Sequence, residues 1–250
     1  MVNGVGYLAV ILFMRGQDGT VKQIAGTAED ITGRKQAEEK IQASLEEKEV
    51  LLKEVHHRVK NNLNVIYSLL NMQSRVVTDS EIKNLLLDSQ RRIQTMGLIH
   101  EQLYQSNSLS QINFCDYINR LANNLYASAN LDADRVKLEI EAEPVALNLQ
   151  TAIPSGLIIN ELLTNAFKYA FEDGRSGVIR IEFYQSSNQK LNLIVSDNGV
   201  GLPSDYNQNK TASLGMRLVK ILAQQLRANF GIDSSSQGSR FELSYFPITD

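Results

Sequence analysis

Between residues 34 and 74 the chain contains neither proline nor glycine, and this run constrains the fold more than any other feature. Apolar residues recur there at Ile41, Leu45, Leu52, Val55, Val59, Leu63, Ile66 and Leu70, in steps of three, four and seven. Steps of that size keep one face of an α-helix apolar, so the spacing predicts a single long helix with a seam suited to a bundle or coiled coil. A polar break over 77–80 precedes a second helical pattern over 81–104, striped by Ile82, Leu86, Ile93, Met96 and Leu103. Two amphipathic helices joined by a short loop make an antiparallel hairpin that leaves its seam exposed. Dimerisation into a four-helix bundle is the expected remedy.

The flanking segments have a different texture. Residues 6–14 are aliphatic, Gln17-Asp18-Gly19 forms a turn, and 21–28 reads as a second strand. Two strands alone do not make a stable domain. Beyond a polar linker at 106–112 the pattern predicts a helix over 114–127, strands over 136–141 and 145–149, and a helix over 152–170. Strands over 178–184 and 191–196, a helix over 214–226 and a last strand over 240–246 follow. Such a mixture implies an α+β sandwich, a mostly antiparallel sheet backed by helices on one face.

Charge and composition exclude several roles. Twenty-eight acidic residues against 25 basic ones give a net charge of −3, so nothing in the balance draws the chain to nucleic acid or an anionic membrane. Cys115 is the single cysteine, which rules out an internal disulfide and a cysteine-rich zinc site. The apolar run at 7–14 is far short of the ~20 residues of a membrane span and has no basic leader. A cytoplasmic protein is expected.

Three clusters in the C-terminal half carry chemistry. In the helix over 152–170, Glu161 and Asn165 lie four apart, with Lys168 and Tyr169 one turn on. A carboxylate, an amide oxygen and a cation on one stripe suit a metal-bound polyphosphate, or simply a solvated face. Asp197, Gly199 and Gly201 form Asp-x-Gly-x-Gly after an apolar strand, letting the backbone approach a ligand beside a fixed carboxylate. Ser213, Gly215 and Met216 open a helix whose free amides can hold phosphates, or merely cap it.

In this order, with Gly238, Ser239 and Arg240 starting a last strand, the clusters resemble the N box and the three glycine boxes of the GHKL ATPases, a superfamily that includes the histidine kinases. The resemblance covers 106–250 and implies a Bergerat ATP-binding fold. It makes Asn165 the holder of Mg²⁺ and Asp197 the reader of adenine. Lys168, Tyr169, Gly199, Gly201, Ser213, Gly215, Met216 and Ser239 would surround the ATP, under a lid containing 207–212. Ser213 stands where that family often has glycine, and the lid segment is short.

The helix segment from Glu54 to Leu63, through His56, His57, Arg58, Val59, Lys60, Asn61 and Asn62, resembles the phosphoacceptor motif of the second class of histidine-kinase dimerisation domain, close to the HWE kinases. That resemblance implies autophosphorylation at His57, with Asn61 and Leu63 in register, and relay to an aspartate of a response-regulator receiver domain. Helix geometry points the same way: at ~100° per residue, His56 flanks the apolar seam at about 50° and His57 opposes it at about 150°. His57 should face solvent and His56 should lean on the bundle. Imidazole suits the task, since an ordinary pKa of about 6.5 leaves it mostly neutral at pH 7. Either Glu161 or Glu54 serves as the proton acceptor, and sequence does not choose between them. Lys60 and Arg58 are candidates to neutralise phosphate. Many kinases of the commoner class carry an acidic residue directly after the histidine; here it is Arg58, so kinase activity is expected and phosphatase activity is left open.

Asp18-Gly19, Gly26 and the run 30–38 resemble the last two strands and exit motif of a PAS sensor domain, about a third of its usual length. The expected division is therefore a PAS remnant at 1–33, a dimerisation and phosphotransfer hairpin at 34–105, and an ATP-binding domain at 106–250. A truncation, or signal input from elsewhere, is implied. A GHKL ATPase or serine kinase without phosphohistidine, and a non-enzymatic receiver-binding bundle, are the competing readings.

Overall fold

The computed structural model describes residues 7–15, 21–105, 111–129, 134–172, 174–203 and 213–248. The chain divides into two compact units, 1–54 and 55–250.

In the first unit, β1 (Tyr7–Arg15) and β2 (Val21–Asp30) pair antiparallel, with Tyr7 opposite Asp30 and Met14 opposite Gln23. Helix α1 (Thr32–Val76) follows at once, because the Asp30 carboxylate accepts a hydrogen bond from the Thr32 amide at 2.9 Å. It starts and ends two residues outside the predicted 34–74. The turn expected at 17–19 lies outside the described residues.

In the second unit the remainder of α1 runs beside α2 (Ser80–Gln105). Asp79 starts α2 by accepting from the amides of Glu81 and Ile82 at 2.8 and 3.0 Å. Three polar contacts fix an antiparallel register: Gln90 donates to Ser74 at 3.2 Å, Lys60 pairs with Glu101 at 3.0 Å, and the Nδ1 atoms of His56 and His100 lie 3.3 Å apart.

The sandwich follows. Helices α3 (Phe114–Ser128), α4 (Leu149–Asn165) and α5 (Leu214–Gln225) pack with a five-stranded sheet, β4-β6-β7-β9-β8. Its strands are β4 (Val136–Ala142), β6 (Gly177–Gln185), β7 (Leu191–Asp197), β8 (Asn229–Ser235) and β9 (Gly238–Tyr245). Only the β4–β6 pairing is parallel. Period-two alternation sends Ile179, Ile181 and Phe183 of β6 and Leu191, Leu193 and Val195 of β7 into the core. Phe114, Tyr117, Ile118, Leu121, Ala122 and Leu125, spaced by one and three along α3, bury one helix face.

Two details differ from expectation. The strand predicted over 145–149 shrinks to β5 (Ala146–Leu147), paired with β3 (Ile112–Asn113), because Asn148, still extended at φ −75° and ψ 166°, is taken up in capping α4. Its side chain accepts from the Thr151 amide at 3.0 Å, so the helix begins at Leu149 rather than 152. Strand β8 was not expected at all.

Candidate nucleotide site and histidine pair

Where α4 ends, the chain widens into a π-helical turn at Ala166–Ala170, a feature common at functional sites. That turn, the end of β7 and the start of α5 enclose a cavity of about 340 Å³. Asn165, Tyr169, Asp197 and Gly201 line it, as do Ser213, Met216 and Ser239. Residues drawn from α4, the π-helical turn, β7, α5 and β9 thus converge on one concavity of a size suited to a nucleotide.

Asp197 sits at the floor. Burial pushes its carboxyl above the ordinary range, and hydrogen bonds from the Gly199 and Ser239 amides pull it back. The Gly199 amide donates to Asp197 Oδ1 at 3.0 Å. The tight backbone around this carboxylate demands glycine: a Cβ on Gly199 would lie 2.1 Å from the Ala170 carbonyl oxygen, and Gly238, at φ +126°, would put one 1.9 Å from that of Asp197. Ser213 caps α5 by accepting from the Met216 amide at 3.3 Å, so the remaining first-turn amides of α5 are presented beside Asn165 and Ser213.

The stripe of Glu161, Asn165 and Lys168 divides. Asn165 ends α4, whereas Lys168 falls in the π-helical turn, where the α-helical period no longer holds. Asn165 lines the cavity. Lys168 donates instead to both carboxylate oxygens of Asp88 on α2, at 3.0 and 3.2 Å, and is not among the cavity's lining residues. Glu161 is buried, receives both Nε and Nη2 of Arg92 at 2.8 Å, and accepts a bond from Asn160 at 3.1 Å. Gly215 lies against this carboxylate rather than in the cavity wall: a Cβ there would stand 2.5 Å from Glu161 Oε2. The lid expected over 207–212 lies outside the described residues.

On α1 the two histidines separate as helix geometry requires. His56 is 9% exposed and its ring stands 5.5 Å from that of His100, centroid to centroid, while His57 is exposed. Burial lowers the pKa of both His56 and His100 below the ordinary imidazole value, His100 being lowered further by its neighbour. Asn61, one turn after His57, is exposed on the same side. Glu54 and Arg58 are exposed, and Lys60 is paired with Glu101. Sequence reasoning missed His100 and Arg92. Hairpin register would have found the first, since His56 and His100 are equidistant in chain from the inter-helix loop to within a few residues.

Comparison with known proteins gives this arrangement a class. Residues 54–129 match the histidine kinase family and residues 152–250 match the histidine kinase-, DNA gyrase B-, and HSP90-like ATPase family. The chain is a member of the histidine kinases, with a phosphoacceptor segment preceding an ATP-binding domain. It is 30% identical over 195 residues to the sensor histidine kinase PdtaS of Mycobacterium tuberculosis, covering 77% of this chain and 38% of that one. It is equally 30% identical over 195 residues to the blue-light-activated histidine kinase 2 of Erythrobacter litoralis, covering 75% and 54%. The chain thus spans roughly two fifths to a half of these relatives. Its fold is that of the Erythrobacter litoralis EL346 blue-light activated histidine kinase, at a TM-score of 0.62 and 24% identity over 95% of this chain and 69% of that one. Among the described residues no helix is long and apolar enough to cross a membrane.

Proposed function

We propose that the chain is the catalytic core of a two-component sensor histidine kinase: ATP held in the cavity phosphorylates His57, and the phosphoryl group then passes to an aspartate of a response-regulator receiver domain. The observation that carries this reading is the convergence of Asn165 and Asp197 on one cavity, in a chain whose α1 exposes His57. Asp197 accepts from the adenine amino group, Tyr169 and Met216 flank the base, and the α5 amides near Ser213 and Gly215 hold the phosphates. Gly199 and Gly201 let the backbone come close.

Mg²⁺ fits this site as a companion of ATP. Asn165 lines the cavity with an amide oxygen, a hard donor, and ATP phosphates would supply most of the other oxygens. The Asn165 amide oxygen would complete that shell, and the ion supplies charge neutralisation on the phosphates. His57 presents a nucleophilic nitrogen, Glu161 accepts its proton once free, and Asn61 holds the imidazole from one turn away.

The working molecule is a homodimer through α1 and α2, a four-helix bundle. The proposed division is a PAS remnant at 1–33, the hairpin at 34–105 and the ATP domain at 106–250. Labelled ATP should yield an acid-labile, alkali-stable phosphoprotein, lost in His57→Gln and kept in His56→Gln; the reverse pattern, or acid-stable label, defeats the assignment. Mixing Asn165→Ala with His57→Gln protein restores label only if transfer crosses the dimer.

A further inference from the structure

Arg92 belongs to neither the acceptor helix nor the cavity, yet it joins the hairpin to the ATP domain. Its guanidinium forks onto both oxygens of Glu161, the two side chains being 17% and 8% exposed. A bidentate, charge-assisted pair of this kind is strong and directional. Asp88 and Thr95, spaced by four and three around Arg92, lie on the same face of α2. Asp88 takes Lys168, and Thr95 Oγ1 meets Asn160 Oδ1 at 3.3 Å. The two ion pairs have opposite polarity, so a slide of α4 along α2 by one turn would bring like charges together. The contact therefore selects one register.

That register has two consequences. With both oxygens on Arg92 and Oε1 also taking Asn160, Glu161 is held within the α2–α4 contact rather than turned to an imidazole. And His100, which marks the level of the histidine pair, lies eight residues beyond Arg92 on α2, about 12 Å along the helix at 1.5 Å per residue, whereas reacting atoms must approach to about 3–3.5 Å. We propose that this docked arrangement is a resting state: Arg92 and Asp88 of α2 lock the ATP domain in place with Glu161 withheld, and the lock must open before phosphoryl transfer. The inference rests on the roles given above to His57 and Glu161.

The lock is built to sense nucleotide. The first turn of α5 sits over the same carboxylate, and a Cβ on Gly215 would be 3.9 Å from Arg92 Nη2. Phosphates arriving at that helix end bring negative charge beside the pair, repelling Glu161 and competing for Arg92.

The test replaces Thr95 and Asn160 by cysteine in a Cys115→Ser background and oxidises with diamide. The 95–160 cross-link should form readily without nucleotide and several-fold more slowly with a magnesium-bound, non-hydrolysable ATP analogue. Cross-linked protein should bind a fluorescent nucleotide yet lose acid-labile labelling at least tenfold, with recovery on reduction, and Arg92→Gln should label several-fold faster. Failure to cross-link, indifference of cross-linking to the analogue, undiminished labelling when linked, or slower labelling of Arg92→Gln overturns the lock. Reduced protein that binds nucleotide but never labels defeats the histidine-kinase reading instead, and the cross-linking rates still judge the lock.

Discussion

The hairpin and the sandwich differ in how much apolar side chain they bury. In the sandwich the fully enclosed residues include Phe114, Tyr117, Ile158, Phe183, Leu193 and Leu243, with a few hydrogen-bonded polar side chains such as Thr151 and Ser155 among them. Among the described hairpin side chains from Val55 on, the buried ones are His56, Ser74, Gln90, Thr95 and the aliphatic Ile99, while Val65, Ile66, Leu69, Met72, Ile82 and Leu85 are exposed. A closed hydrophobic core stabilises the first; the second presents its apolar seam outward. In the homodimer proposed above, the sandwich is a finished object and the hairpin is half of one. Stability of the first should be an intramolecular property, and that of the second should depend on concentration.

The largest blow to this contrast should come from the sandwich core. Phe183→Ala removes a ring that is fully buried and meets Phe114 edge-on at 4.9 Å. It should cost about 3–5 kcal/mol. Denaturant titration should show the tryptophan-free chain losing nucleotide binding at a lower midpoint at every protein concentration. A midpoint that moves with concentration would mean that the sandwich, too, is completed by a second copy.

Next in size is the seam. Ile66→Glu with Leu69→Glu puts two charges where two aliphatic side chains would be buried, and losing that burial alone forfeits about 3 kcal/mol or more. Sedimentation should show dimer dissociation weakened at least a hundredfold, with nucleotide affinity unchanged. An unaltered dimer would place the self-association surface elsewhere.

The same contrast explains what could be read beforehand. The helix over 34–74 was legible because heptad-like spacing repeats many times without a breaker. The cavity residues were legible because glycines and a carboxylate stand where the backbone must approach a ligand closely. Strand β8 was not, since Asn229–Ser235 is an edge strand with only Phe230 and Ile232 half-buried, and its last residues are polar. The pairing of Arg92 with Glu161, 69 residues apart, leaves no periodic trace at all. The split of Lys168 from Asn165 depends on what α4 docks against, which helix periodicity does not specify.

A smaller effect sharpens the sandwich side. Gly238→Ala forces a side chain onto φ +126° and against the Asp197 carbonyl at 1.9 Å. Backbone strain of this kind costs about 1–3 kcal/mol. Because the displaced strand end is the one carrying Asp197, thermal stability and nucleotide affinity should fall together. A variant that lost stability but bound the analogue normally would separate Asp197 from the purine.

The smallest effect is the pH response, and there the two regions should move in opposite directions. His56 and His100 are held below the ordinary imidazole value, chiefly by burial. The unfolded chain therefore binds protons that the folded hairpin refuses, so this contribution to stability is full above about pH 6.5 and declines as pH falls toward the lowered values. Asp197 is raised, so its folded form holds a proton the unfolded chain has released; that contribution is present below about pH 3.9 and fades as pH rises through the raised value. Between about pH 7 and 5.5 the hairpin should loosen while the sandwich does not. His100→Gln should flatten the decline, because it removes one of the two rings that cannot both accept a proton across 3.3 Å. Hydrogen exchange followed on α1 and α2 separately from β6 and β7 tests this. A sandwich that loosens in step with the hairpin would show that the two regions share one stability after all.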